Sequence, residues 1–320
     1  MTLPVRPHRF ARPLLSSAFA LGFLGLGTLV ADPLGVIRWA GEISLRGSGA
    51  REESFRGPSG EALHTWVAGP LSGPPPVVLL HGLGAASDYW SAVARALARS
   101  GRTVVIPDAP GSGKSEGPGA IGWGMTGRVA AVRSLVEALG LSSFDLVGHS
   151  LGGWTAARYA MEEPRKVRRL VLVDSGGFSV PPGDDDSAFR RRLVPMSREE
   201  GRDLLGLLFF RAPFPRAGFV ADAITRNYSS LPVASTVAAV TREDRLVGRE
   251  RELPDGTVLI WGACETLFPL EDGRRAASQL RNGRLLVIKG VGHDGPLEAP
   301  GPFIEALFAA LEGRPLKTSP

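Results

Sequence analysis

The chain reads as an α/β protein: a mostly parallel, eight-stranded sheet with helices on both faces and a helical cap inserted late in the order. Three observations predict this. Apolar runs of strand length alternate with helical patterns. One strand passes into a helix through a glycine-rich turn centred on a serine. The alternation is interrupted once, between about residues 177 and 254, by a stretch rich in proline, leucine and phenylalanine. Near-continuous apolar strands separated by helices are what a parallel sheet buried on both faces requires.

Taken in order, Arg6, Arg9 and Arg12 precede a charge-free run from Pro13 to Ala31. The 18 residues Leu14 to Ala31 would span about 27 Å as a helix, against about 30 Å of bilayer hydrocarbon. Residues 1–52 are therefore expected to hold a membrane anchor or signal segment and a linker, with a polar stretch from Gly41 to Arg51. Cleavage after Ala31 would put Leu29 where a small residue is wanted, which favours an uncleaved anchor over a secreted product. With the basic flank on the N-terminal side, the rest of the chain is expected outside the cytoplasm, in a bacterium the periplasm.

Glu53–Val67 reads as two strands around the turn Gly57-Pro58-Ser59-Gly60, an antiparallel edge. Then come a strand Val77–Leu80 and helix Tyr89–Leu97, strand Val104–Ile106 and helix Val129–Leu139, strand Phe144–Val147 and helix Trp154–Met161, and strand Val167–Val173. The expected division is 53–176 for the first part of the core, 177–254 for the cap and 255–320 for the second part. That last part holds the strand Val258–Ile260, a helix near Leu270–Leu280, the strand Leu285–Ile288 and a helix around Pro302–Leu311.

Composition narrows function only broadly. Hydrophobic residues at 43% and charged residues at 22% describe a folded chain. The 37 basic and 32 acidic residues are interspersed, as in Arg198-Glu199-Glu200, rather than gathered on a basic stripe, so nucleic acid is not an expected partner. The single cysteine, Cys264, cannot form an internal disulfide.

The chemistry is concentrated in Gly148-His149-Ser150-Leu151-Gly152-Gly153, between a strand and a helix. At so tight a turn the serine is held strained with its hydroxyl projecting, and side chains at 148 and 152 would collide. The Leu151 amide, at the helix N-terminus, then faces any negative charge formed beside Ser150. A second oxyanion donor is expected from the Leu83 amide in His81-Gly82-Leu83-Gly84. Of five histidines, His8 lies in the basic flank, His64 in an early strand, and His81 and His149 read as packing residues. That leaves His293, in a glycine-bounded loop after a strand, as the base. Glu265, after the strand Val258–Ile260, is the expected acid, with Asp174 at the end of Val167–Val173 as its rival. Gly111-Ser112-Gly113-Lys114-Ser115 imitates a phosphate-binding loop, but Asp108 stands where the first glycine is needed, so it reads as a turn.

Those residues, in the order Pro76–Gly84, Ile106–Ser115, Gly148–Gly153 and Gly290–His293, resemble the α/β-hydrolase superfamily. The anchor and the cap segment Arg198–Phe214 look like those of monoacylglycerol-lipase-like hydrolases and related bacterial lipases. Two positions depart from those families, which usually carry Asp where this chain has Glu265 and often Met where it has Leu151. The resemblance implies a serine hydrolase working through an acyl-enzyme on carboxylic esters, without metal or cofactor. Leu204, Leu205, Leu207, Leu208, Phe209, Phe210, Phe214 and Phe219 in the cap would suit a hydrophobic acyl chain. The competing readings are a carbon–carbon bond hydrolase or cofactor-free perhydrolase of the same fold, and a non-catalytic binding module.

Overall fold

The computed structural model describes residues 31–69, 73–179, 185–214 and 217–315. The anchor or signal segment lies outside these residues apart from Ala31, and among the described residues no helix is long and apolar enough to cross a membrane.

Eight strands form one sheet in the order β1-β2-β4-β3-β5-β6-β7-β8. They are β1 (Arg51–Arg56), β2 (Ala62–Ala68), β3 (Val77–Leu80), β4 (Val104–Pro107), β5 (Phe144–His149), β6 (Val167–Val173), β7 (Val258–Gly262) and β8 (Arg284–Ile288). Strand β2 runs antiparallel to β1 and β4, and every other pairing is parallel. The predicted edge hairpin and all six later strands are present.

Strand alternation divides the core. Val78, Leu80, Leu146, Leu172, Leu259 and Trp261 point to one face, while Val77, Leu79, Val147, Val173, Ile260 and Ile288 point to the other. The first face is covered by the helices Met125–Ala138 and Leu151–Glu162 and by the cap, and the second by the helices Ser91–Arg99 and Pro300–Glu312. Burial on both sides explains why these strands read as unbroken apolar runs.

After β3 the chain steps to β4 on one side, and after β4 it returns to place β5 on the other side of β3. The connections part at the C-terminal ends of β3 and β5, where open α/β sheets leave a crevice. The first residues beyond those ends are His81-Gly82-Leu83 and Ser150.

The segment expected as a linker behaves differently. Helix α1 (Pro33–Gly47) begins with the Asp32 carboxylate accepting from the Gly35 amide at 2.9 Å and with Pro33 in its first turn. Leu45 is fully buried in the second core face, and Lys114 Nζ lies 3.0 Å from the Glu42 carboxylate. Gly, Ser and charge had marked residues 41–51 as irregular, but a buried leucine and ion pairs to the core outweigh weak local propensity. Leu45→Ala should lower unfolding free energy by about 2–4 kcal/mol in urea titrations; an unchanged midpoint would mean that α1 is no part of the folded domain.

Candidate active site

Ser150 sits between β5 and the helix Leu151–Glu162 with φ 55° and ψ −120°, outside the conformations an L-residue adopts freely. Its amide donates to the Val173 carbonyl at 2.9 Å, and its carbonyl accepts from Gly176 N at 3.2 Å, which locks the turn to the neighbouring strand. The flanking glycines are required by contact. A Cβ at Gly148 would lie 2.2 Å from the Gly152 carbonyl oxygen, and one at Gly152 would lie 2.4 Å from the carbonyl oxygens of both Leu80 and His81.

The loop after β3 is held from below and above. The buried His81 ring donates from Nδ1 to the Gly82 carbonyl at 2.8 Å and accepts the Ala109 amide on Nε2 at 3.0 Å. Burial lowers its pKa to about 4, so the ring stays neutral in that tautomer. The loop that imitated a phosphate cradle is instead folded around Asp108, whose carboxylate accepts from Ser87 N at 2.7 Å, Lys114 N at 3.0 Å and His64 Nδ1 at 2.8 Å. Burial alone would raise that carboxyl; these donors outweigh it and bring the pKa to about 2. From above, Tyr228 Oη donates to Leu83 O at 3.0 Å and Asn227 Nδ2 to Gly84 O at 2.8 Å, so the cap helix Gly218–Tyr228 fixes the same loop. Among the described residues the Leu83 amide has no hydrogen-bond partner.

His293 follows β8 and is buried. Its Nδ1 bonds to Glu265 Oε2, while Glu265 Oε1 accepts the amides of Leu267 at 2.5 Å and Phe268 at 3.2 Å. The longer glutamate side chain thus folds back over its own loop, which brings its head to the imidazole. Gly262, at the end of β7, permits this approach, since a Cβ there would lie 2.3 Å from the Gly292 carbonyl oxygen. Asp174 does not reach His293. It has φ 40° and accepts the Gly262 amide on Oδ1 at 2.8 Å.

Electrostatics separates these groups. Burial works against a charged imidazole at His293, but the adjacent Glu265 carboxylate, with Asp294 and Asp174 further off, overcomes it and raises the pKa to about 9. Burial, and then the charge of Glu265, push the Asp174 carboxyl well above the ordinary carboxylate range. His149, which read as packing, also supports the site. Its Nε2 donates to the His293 carbonyl at 2.9 Å, its ring stacks on Tyr89 at 5.0 Å, and burial drives its pKa well down so that it cannot compete for a proton.

Ser150, His293, Leu83 and Leu151 line one cavity of about 960 Å³, within the size range of small-molecule sites. Of the apolar cap side chains, Leu208, Phe209 and Phe214 line it together with Phe189, Leu193 and Val237. Leu204 and Leu205 are instead buried in the core, and Phe210 is 47% exposed. Sequence reasoning missed the wall formed by α1, where Leu34, Ile37, Arg38 and Gly41 face the cavity, and it missed Asp294, buried beside His293 and raised by that burial to about 7. The aspartate directly after His293 was the one local signal available for the latter.

A family model described as "alpha/beta hydrolase fold" matches residues 75–300. The 2-hydroxy-6-oxo-2,4-heptadienoate hydrolase of Pseudomonas putida is 30% identical over 261 residues, 74% of this chain and 90% of that one. Lipase 1 of Psychrobacter immobilis is 24% identical over 234 residues, 70% of this chain and 73% of that one. Among solved structures, a bacterial membrane phospholipase A superposes with a TM-score of 0.74 at 24% identity, covering 93% of this chain and 97% of its own, a likeness of fold.

Gly152→Ala should cost about 1–3 kcal/mol or more of stability, because backbone on both sides leaves no room for the methyl group. Thermal unfolding of the variant alongside Gly301→Ala, where a Cβ meets nothing within 4 Å, provides the check.

Proposed function

This chain belongs to the alpha/beta hydrolase fold family, and we propose that it is a serine hydrolase cleaving carboxylic esters with a hydrophobic acyl chain. The observation that carries this reading is the shared cavity. A strained, outward-held Ser150 and the Glu265-bonded imidazole of His293 face one apolar space beside two amides suited to an oxyanion.

In the proposed mechanism Ser150 Oγ attacks the ester carbonyl while His293 Nε2 takes its proton. Glu265 holds the imidazole by Nδ1 and stabilises its charged form, and the amides of Leu83 and Leu151 receive the oxyanion. His293 returns the proton to the departing alcohol, leaving an acyl-serine, and a water activated by the same imidazole releases the acid. Asp174, whose carboxyl burial and the Glu265 charge push upward, supports the end of β7 by accepting the Gly262 amide. The phenyl and leucyl side chains of the cap are placed to take the acyl chain, and the N-terminal segment is proposed to anchor the enzyme with this domain outside the cytoplasm.

A carbon–carbon bond hydrolase is the second reading, favoured by the Pseudomonas putida relative at 30% identity. A panel of p-nitrophenyl esters of graded acyl length run beside a vinylogous diketone substrate separates the two. Ester turnover should improve from acetyl to longer chains, and Ser150→Ala should lose at least about a thousandfold in rate together with fluorophosphonate labelling. Faster cleavage of the diketone would select the second reading, and a wild type that takes up no fluorophosphonate would leave the chain a non-catalytic module.

The pH dependence follows from the raised imidazole. A general base must be unprotonated, so kcat/KM should climb with pH along a limb displaced from the ordinary histidine value of 6.5 toward 9. Glu265→Gln removes the first charge that raises it, so the limb should move to lower pH while kcat falls by about a hundredfold or more. Asp174→Asn should shift the limb far less. A limb unmoved by Glu265→Gln but displaced by Asp174→Asn would reassign the acid.

A further inference from the structure

Helix α1 has two unlike sides. Leu34, Ile37, Arg38 and Gly41 line the cavity that holds Ser150, and Leu45 is fully buried. Positions 36, 39 and 43, spaced three and four apart, share the opposite side. They are Val36, Trp39 and Ile43. Trp39 is 63% exposed and Ile43 47%, and Ile37, on the rim between the two sides, is 41% exposed. These are three of the six large hydrophobic side chains found exposed among the described residues, all within two turns of one helix. An apolar strip therefore runs from the outer surface over the rim and into the cavity.

We propose that the outer face of α1, with Trp39 and Ile43 at its centre, rests in the headgroup region of a phospholipid bilayer, so that the cavity mouth opens toward the membrane and takes its ester from there. The proposal rests on the ester-hydrolase reading of the cavity for its second half only. Two further observations select the bilayer as occupant. The charge-free run Pro13 to Ala31 ends one residue before Asp32 caps α1, so if that run enters a membrane, α1 is tethered at its surface. Tryptophan beside aliphatic residues on a surface helix is the composition that partitions to a bilayer interface. The alternative occupant, a second copy of the chain, is poorly served by three side chains, since stable protein interfaces use about 20–30 residues a side.

The test uses the full chain in phosphatidylcholine vesicles, with and without brominated acyl chains. Residues 1–32 contain no tryptophan, Trp66, Trp90 and Trp261 are fully buried, and Trp123 and Trp154 are partly buried, so the share of a lipid-quenched signal that belongs to Trp39 is read from its substitution. Brominated lipid should quench the wild type much more strongly than Trp39→Phe, in which only the partly buried Trp123 and Trp154 remain for lipid to reach. Trp39→Glu and Ile43→Glu should hydrolyse a long-chain ester dissolved in the vesicles about tenfold more slowly, while turning over a short water-soluble ester at the wild-type rate. Equal quenching in wild type and Trp39→Phe, or vesicle rates unchanged in both glutamate variants, would overturn the proposal. So would an Ile43→Cys disulfide joining two copies in vesicles while Trp39 remains unquenched, which assigns the face to self-association. If wild type hydrolyses neither ester, the ester reading fails, and the quenching alone still decides where α1 lies.

Discussion

Everything at this site depends on how closely two stretches of backbone pack at the carboxyl ends of β3 and β5. With no side chains at Gly148 and Gly152, the turn around Ser150 sits against the carbonyls of Leu80 and His81. That contact sets both the projection of the serine and its distance from the Leu83 loop. The strain at Ser150 is sustained by hydrogen bonds on both sides of its peptide, to Val173 and Gly176. The sheet positions this pair of loops because the chain changes direction there, which ties the candidate site to topology rather than to any one residue.

Around the imidazole the constraint is charge in a poorly solvated space. Three carboxyl groups, Glu265, Asp174 and Asp294, lie close enough to His293 to act on it, and all are buried. They cannot all ionise. The group in direct contact with Nδ1 stabilises an imidazolium, and its charge, after burial, pushes the Asp174 carboxyl upward. Burial lowers the pKa of both His149 and His81, which brace the surroundings, His81 through backbone partners on both ring nitrogens and His149 through one on Nε2.

Much of this was legible in the sequence because the relevant constraints are local. Alternating burial writes itself into strands such as Val77–Leu80, and steric exclusion writes itself into Gly148 and Gly152. His293 emerged by elimination among five histidines. The choice between Glu265 and Asp174 was not local, since both follow parallel strands that end near one loop; only the fold shows that Glu265 turns back to meet the ring while Asp174 is spent on Gly262. Helix α1 was missed for the converse reason. Its glycines and charges carry little helical signal, and what holds it, Leu45 against the sheet and Glu42 against Lys114, involves residues far away in sequence. The cap's apolar residues could be recognised as a set, but their division between cavity and core depended on helix orientation that periodicity over broken fragments does not specify.

The cavity is walled by segments from both extremes of the chain, α1 near the start and the loop of His293 near the end. Trimming the protein back to the first strand, as one would to obtain a well-behaved fragment, would therefore breach the chamber. A shortened form that folds yet works poorly would report a missing wall, and its altered selectivity would say nothing about how the intact enzyme chooses what it cleaves.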